Sequence, residues 1–169
     1  MKTENRDELI QVLNDLVRIN NDRLEGYEKA IETAKEDDID LVGVFNSMIG
    51  ESRKNKAELV EAIESAGGHA EFGETTNSGK LYRFWMTIKE SLSGNDRRSV
   101  LDDCEFGEDA AQKAYQEALE SDAAMDADTR KLIIDQKTSL RNSHDIIKRL
   151  RDMQYDTADL NRDRPAKVF

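Results

Sequence analysis

Glu108 and His144 are the residues of this chain whose types and placement could do chemistry. At 3.6 residues per turn, Glu108 shares a helical face with Val100, Cys104, Ala111, Tyr115 and Ala118, while Glu105 and Asp109 point away from it. His144 falls on a second apolar face, with Ile133, Gln136, Leu140 and Ile147. A carboxylate on a core-facing stripe must find a cation, a metal or hydrogen-bond donors, because an unpaired buried charge is costly. With imidazole it makes part of a transition-metal donor set; with Lys or Arg it makes a buried ion pair. Cys104, one turn before Glu108, could complete a mononuclear site of Glu108, His144 and Cys104. Two or three ligands at helical spacing are a weak signal, since such spacing is common without metal.

Other candidates carry less. Glu51 and Glu105 lie at the edges of their stripes and would reach a metal only if a helix were rotated to turn them inward. Charged residues at such edges mostly face solvent or bridge a hairpin. Cys104 is the only cysteine, so no intramolecular disulfide forms, and its apolar face suits a small buried side chain rather than a reactive thiol. His69 follows Gly67-Gly68 in a loop and is expected to be exposed. No nucleophile with its base, phosphate-cradling glycine loop or redox cysteine pair is present.

Four long amphipathic helices must position these groups. The first is expected over 5–35, with Leu9, Leu13, Leu16, Asn20, Leu24, Tyr27 and Ile31 on one face. The second starts near Asp38 or Asp40, either of which can cap it, and stops at Gly67-Gly68. The third covers about 95–121 and carries the Glu108 face; the fourth runs from about 126–129 to 154. Short acidic connections make the first and second helices, and the third and fourth, antiparallel hairpins. The 67–94 link is long enough to travel the bundle, which allows the third helix to run parallel to the second, up-down-down-up. Within it Leu81, Trp85, Ile88 and Leu92 recur at helical spacing, as a short amphipathic helix that packs on the bundle or forms a dimer contact. The expected organisation is a four-helix bundle over 1–154 and a polar, flexible tail over 155–169.

Composition agrees. The chain has 169 residues, 36% charged and 37% hydrophobic, with one proline, and a formal net charge of −11. That balance suits one helical domain with highly charged outer faces. The negative charge argues against nucleic acid or an anionic membrane as a main partner. The start has no uninterrupted apolar stretch and no segment approaches 18 apolar residues, so the expected setting is cytoplasmic.

An internal repeat sharpens the expectation for the interior. Tyr27-Glu28-Lys29-Ala30-Ile31-Glu32 resembles Tyr115-Gln116-Glu117-Ala118-Leu119-Glu120 at an offset of 88 residues. The same offset relates Asn20 to Glu108 and Lys56 to His144, all on apolar faces. Two hairpins about a pseudo-two-fold axis would bring the four to one height. The expectation is a buried polar layer of Asn20, Lys56, Glu108 and His144, with Arg53 and Arg141 as further cations, and Ser52, Asn55 and Ser143 near enough to join.

With these residues in view, the chain resembles a ferritin-like four-helix bundle, and more closely a bacterial ferritin-like family of uncharacterised function. The resemblance rests on Asn20-Asn21-Asp22 with Gly26-Tyr27, on Trp85-Met86 with Lys89, Leu92, Gly94 and Asp96, on 104–111 with Tyr115, and on His144 with Leu150-Arg151-Asp152. It covers nearly all of 5–152 and implies a fold and a bacterial cytoplasmic setting, without an activity. Ferritin-like di-iron proteins use one Glu from each of two helices and a Glu-x-x-His pair from each of the others. On this chain's repeat those positions are Asn20 and Glu108, then Arg53-Lys54-Asn55-Lys56 and Arg141-Asn142-Ser143-His144. Of six ligands only Glu108 and His144 survive, and arginines replace two carboxylates.

A dinuclear centre needs several carboxylates, whereas this layer supplies its own cations. The favoured expectation is a non-catalytic ferritin-like bundle without cofactor, with a structural or protein-interaction role, and Glu108 paired to Lys56, Arg53 or Arg141. A stress-related role is suggested only by ferritin-like relatives. Self-association, as a dimer through the aromatic link, is expected. The alternative is an iron- or manganese-binding oxidoreductase or iron-handling protein using Glu108 and His144, with Glu105 and Glu51 in reserve.

Overall fold

The computed structural model describes residues 3–34, 36–71 and 97–162. The aromatic stretch at 81–92, its proposed dimer contact and residues 163–169 lie outside them. Four helices make up the described chain: α1 Thr3–Thr33, α2 Ile39–Ser65, α3 Arg97–Glu120 and α4 Ala127–Arg162, with a single 3₁₀ turn at Glu36–Asp38 between the first two. No strand occurs among the described residues. The last helix runs eight residues beyond the expected end at Gln154, so the boundary of an irregular tail at 155 is corrected. The run from Tyr155 to Arg162 contains neither proline nor glycine, and nothing in it breaks the backbone ladder.

Local signals set the ends. Asp126 accepts the Thr129 N–H at 2.7 Å, and its backbone carbonyl takes the Arg130 N–H at 3.0 Å, an N-terminal cap for α4. At the start of α2, Asp38 occupies the cap position but its side chain makes no capping bond. Its carboxylate is drawn instead to Arg97 at 3.1 Å, which also grips Asp40 and so ties the start of α3 to that of α2. Helix α2 ends in a Schellman turn: Gly67 N–H bonds the Glu64 carbonyl and Gly68 N–H the Ile63 carbonyl. Gly67 has φ of 81°, a left-handed conformation that costs an L-residue roughly 1–2 kcal/mol. Gly67→Ala is therefore expected to lower stability by about 1 kcal/mol without changing the fold, measured by urea unfolding; an unchanged midpoint would mean that the turn relaxes elsewhere.

Cross-bundle contacts fix the topology. Tyr27 lies on Phe45 with ring centroids 5.4 Å apart, while Asn14 near the other end of α1 bonds the His69 carbonyl after α2, so these helices are antiparallel. Asn20 meets Tyr115 and Arg23 meets Glu108, so α3 also runs against α1 and parallel to α2. Gln136 meets Glu58 and Ser143 meets Glu51, which sets α4 against α2. The order is up-down-down-up, the ferritin-like arrangement.

The apolar residues separate into two clusters along the axis. Leu13, Leu16, Leu59, Ile63, Tyr115 and Leu140 belong to one. Tyr27, Leu41, Phe45, Leu101, Cys104 and Ile147 belong to the other. Leu13, Leu59, Phe45 and Ile147 are fully buried, each stabilising by roughly 1.5–3 kcal/mol. Polar side chains are concentrated between the two clusters.

Candidate functional site

Glu108 is buried, as its face requires, but its partner is none of the expected cations. Arg23, one turn beyond Asn20 and one before Tyr27 on α1, is only 1% exposed and reaches the Glu108 carboxylate with Nε at 3.2 Å and Nη2 at 2.7 Å, both on Oε1. The Tyr27 hydroxyl donates to the same oxygen. The guanidinium then spreads to α2: Nη1 donates to Ser52 Oγ at 2.6 Å and Nη2 to Glu51 Oε2 at 3.1 Å. Glu51 is completed from α4, by the hydroxyls of Ser139 and Ser143. One arginine from α1 thus links carboxylates on α2 and α3, and Glu51 carries the network to α4.

The electrostatics of this group are those of a closed network. Burial alone would weaken the charge on Arg23, but Glu108, Tyr27 and Glu51 outweigh it and raise its pKa above the usual value. Burial and the Glu108 carboxylate push the Tyr27 hydroxyl well above its ordinary range, so it stays a donor. Burial, with Glu108 and Asp103, likewise pushes the Cys104 thiol up, and Cys104 is a buried neutral side chain rather than a thiolate ligand. Among the described residues Glu108 Oε2 has no hydrogen-bond partner.

A second polar relay crosses the bundle beside it. Asn20 donates to the Tyr115 hydroxyl at 2.9 Å and to its own-helix carbonyl of Leu16. Tyr115 donates to Gln136 Oε1 at 2.8 Å, and Gln136 Nε2 reaches the Asn55 carbonyl at 3.1 Å and Glu58 at 3.0 Å. The internal repeat is visible here. Tyr27 and Tyr115 are equivalent by the 88-residue offset, as are Asn20 and Glu108, and each hydroxyl binds the equivalent position on the opposite helix.

The remaining expected members are placed differently. Arg53 is 67% exposed and faces Glu28 at 3.6 Å, and Arg141 is 66% exposed and faces Asp145 at 3.5 Å. Both are surface residues, which corrects their assignment to the buried layer. Their long, strongly solvated charges stay in water while Asn55 and Ser143, on the same helices, take the inward positions. Lys56 is half-buried rather than buried. His144 is buried, but its partners are on the α3–α4 flank and not in the Arg23 network: Nε2 lies 2.8 Å from Asp109 Oδ1 and 3.8 Å from Glu105 Oε1, and Nδ1 lies 3.1 Å from Asp145 Oδ1. Glu105 is buried there too, held by Arg151 of α4, although the helical count turns it away from the Glu108 face. His69 is exposed, as expected of its loop.

The residue that the sequence reading missed is Arg23. Helical spacing could have found it, since it lies three residues after Asn20 and four before Tyr27, within one inward face. The di-iron donor set does not fit this interior: a guanidinium occupies Oε1 of Glu108, Asn20 stands at the other lone-carboxylate position, and the ligand positions of the second helix hold the exposed Arg53 and the half-buried Lys56.

Comparison with known proteins agrees with the fold. No helix among the described residues is long and apolar enough to cross a membrane. No curated protein matches the chain in sequence. A solved structure of a mutant of Dps1 from Mycobacterium smegmatis superposes with a TM-score of 0.71, covering 89% of this chain and 99% of that one, at 11% sequence identity. That likeness is one of fold, a ferritin-like four-helix bundle. Residues 8–121, from early α1 through the Glu108 helix, match the family described as a domain of unknown function (DUF2383), and the chain belongs to that family.

Proposed function

We propose that this protein is a non-catalytic ferritin-like bundle with a structural or protein-interaction role, in which a buried guanidinium does the charge-balancing that metal ions do in a di-iron bundle. The observation that carries this reading is Arg23, fully buried and bonded at once to Glu108, Ser52 and Glu51. A metal cation brought to Glu108 would find Oε1 already taken by this guanidinium and the Tyr27 hydroxyl, and would have to bind Oε2 beside a fixed positive charge. Like charges in a low-dielectric interior repel strongly, so the resident cation opposes a second. A buried network of this kind also fixes helix register, because only one alignment satisfies every donor. A scaffold of fixed geometry is what a partner-binding protein requires. Self-association is proposed with it, on the aromatic stripe at 81–92.

The alternative, an iron- or manganese-binding oxidoreductase or iron-handling protein using Glu108 and His144, has in its favour the partnerless Glu108 Oε2. It is opposed by the separate partners of the two residues, Arg23 and Tyr27 against Asp109 and Asp145. The test compares the chain purified from iron- and manganese-replete cells with Glu108→Gln, which keeps the side-chain volume, by elemental analysis. The metal content is expected to be the same in both. Loss of one or more iron or manganese ions per chain in Glu108→Gln would overturn the reading.

A further inference from the structure

We infer that Glu105, Asp109 and His144 form a mononuclear site for a divalent first-row transition ion on the α3–α4 flank. The site is separate from the Arg23 network and does not depend on how that network is read.

The chemistry begins with spacing. Glu105 and Asp109 are four residues apart on α3 and lie on one side of it, and His144 comes from the facing turn of α4. One ligand atom from each lies within 4.8 Å of the others. A tetrahedral ion with bonds near 2.1 Å holds its ligands about 3.4 Å apart, so small rotamer changes close the set. Two carboxylate oxygens and one imidazole nitrogen leave a fourth position for water.

The histidine supplies an independent argument. Its two ring nitrogens both face carboxylates, Nδ1 that of Asp145 at 3.1 Å and Nε2 that of Asp109 at 2.8 Å. A neutral ring has one N–H, so in either tautomer one nitrogen lone pair points at a carboxylate oxygen. A metal ion held between that lone pair and the carboxylate would be coordinated by both. With the Nδ1 proton on Asp145, Nε2 is the free ligand, the carboxylate–histidine–metal order seen in metal sites.

Glu105 is prepared in the same way. Its Oε2 is held by Arg151, while Oε1 is the oxygen turned toward His144. Arg151 therefore orients the carboxylate and need not be displaced when an ion binds. An imidazole donor selects for Zn²⁺ or Fe²⁺ over Mg²⁺, which takes oxygen ligands and gives up its water reluctantly.

Calorimetric titration of the full chain with Zn²⁺ alone tests the site, with Mg²⁺ as comparison. One equivalent of Zn²⁺ is expected to bind saturably and at least tenfold more tightly than Mg²⁺. His144→Gln should weaken Zn²⁺ at least tenfold. So should Asp109→Asn, whose exposed position leaves folding intact if the histidine variant does not fold. Asp145→Asn should weaken it by about tenfold, the usual effect of losing an orienting carboxylate. Glu108→Gln should leave Zn²⁺ affinity unchanged; a loss there would count against the metal-free core and not against this site. No saturable Zn²⁺ binding, equal affinity for Mg²⁺, or unchanged affinity in Asp109→Asn would overturn the proposal.

Discussion

Arg23→Ala is expected to destabilise the bundle by about 3–5 kcal/mol, because it strands the Glu108 carboxylate, buried with Arg23 as its charge partner, and removes a charge partner of Glu51. At roughly 2–4 °C per kcal/mol for a domain of this size, Tm should fall by about 6–20 °C. Glu108→Ala should cost a similar amount, since it leaves the guanidinium buried with Ser52, the Tyr27 ring and the half-buried Glu51 but without its fully buried counter-charge. The double substitution Arg23→Met with Glu108→Met is the informative control. Removing both charges and keeping volume should cost less than about 2 kcal/mol, far below the sum of the single effects. Urea unfolding of the four proteins measures the coupling. Single losses below about 0.5 kcal/mol, the range of surface substitutions, would mean that the pair is solvated and the core reading fails.

The second large effect is expected at Tyr115. Tyr115→Phe removes the hydroxyl between Asn20 and Gln136 and leaves an amide donor and an amide acceptor buried without it. Losing a buried partner costs about 1–3 kcal/mol, against roughly nothing for the same change at the surface. The two tyrosines also predict an alkaline limit. Burial pushes both hydroxyls above the ordinary tyrosine pKa of 10.0. A raised pKa means that the folded state holds its protons longer than the unfolded one. The stability from these groups is therefore complete below pH 10 and is lost as pH rises above it. Absorbance titration should show Tyr27 and Tyr115 ionising only together with unfolding. Ionisation of either in a still-folded chain would contradict their burial.

How much of this was legible beforehand differs by level. The four long helices followed from apolar spacing and from the Gly67-Gly68 stop, and their up-down-down-up order from two short connections and the long 67–94 link. The burial of Asn20, Glu108 and His144 followed from the same periodicity. The end of α4 did not, because loss of an apolar face does not end a helix when nothing in the backbone breaks it.

By itself, then, the sequence determined which faces turn inward and that a carboxylate would lie among them, because face membership depends only on the 3.6-residue turn. The tertiary structure alone decided which cation answers Glu108. Adjacent residues differ by about 100° around a helix, so spacing places Arg23, Asn20 and Tyr27 on one broad face without saying whose side chain crosses to α3. Arg23 crosses to a carboxylate that is fully buried, while Arg53 and Arg141 keep their charges in water. The same limit applied to Glu105 and His144. Their meeting depends on how α3 and α4 are rotated against each other, and that rotation is settled only when the two clusters of apolar side chains pack.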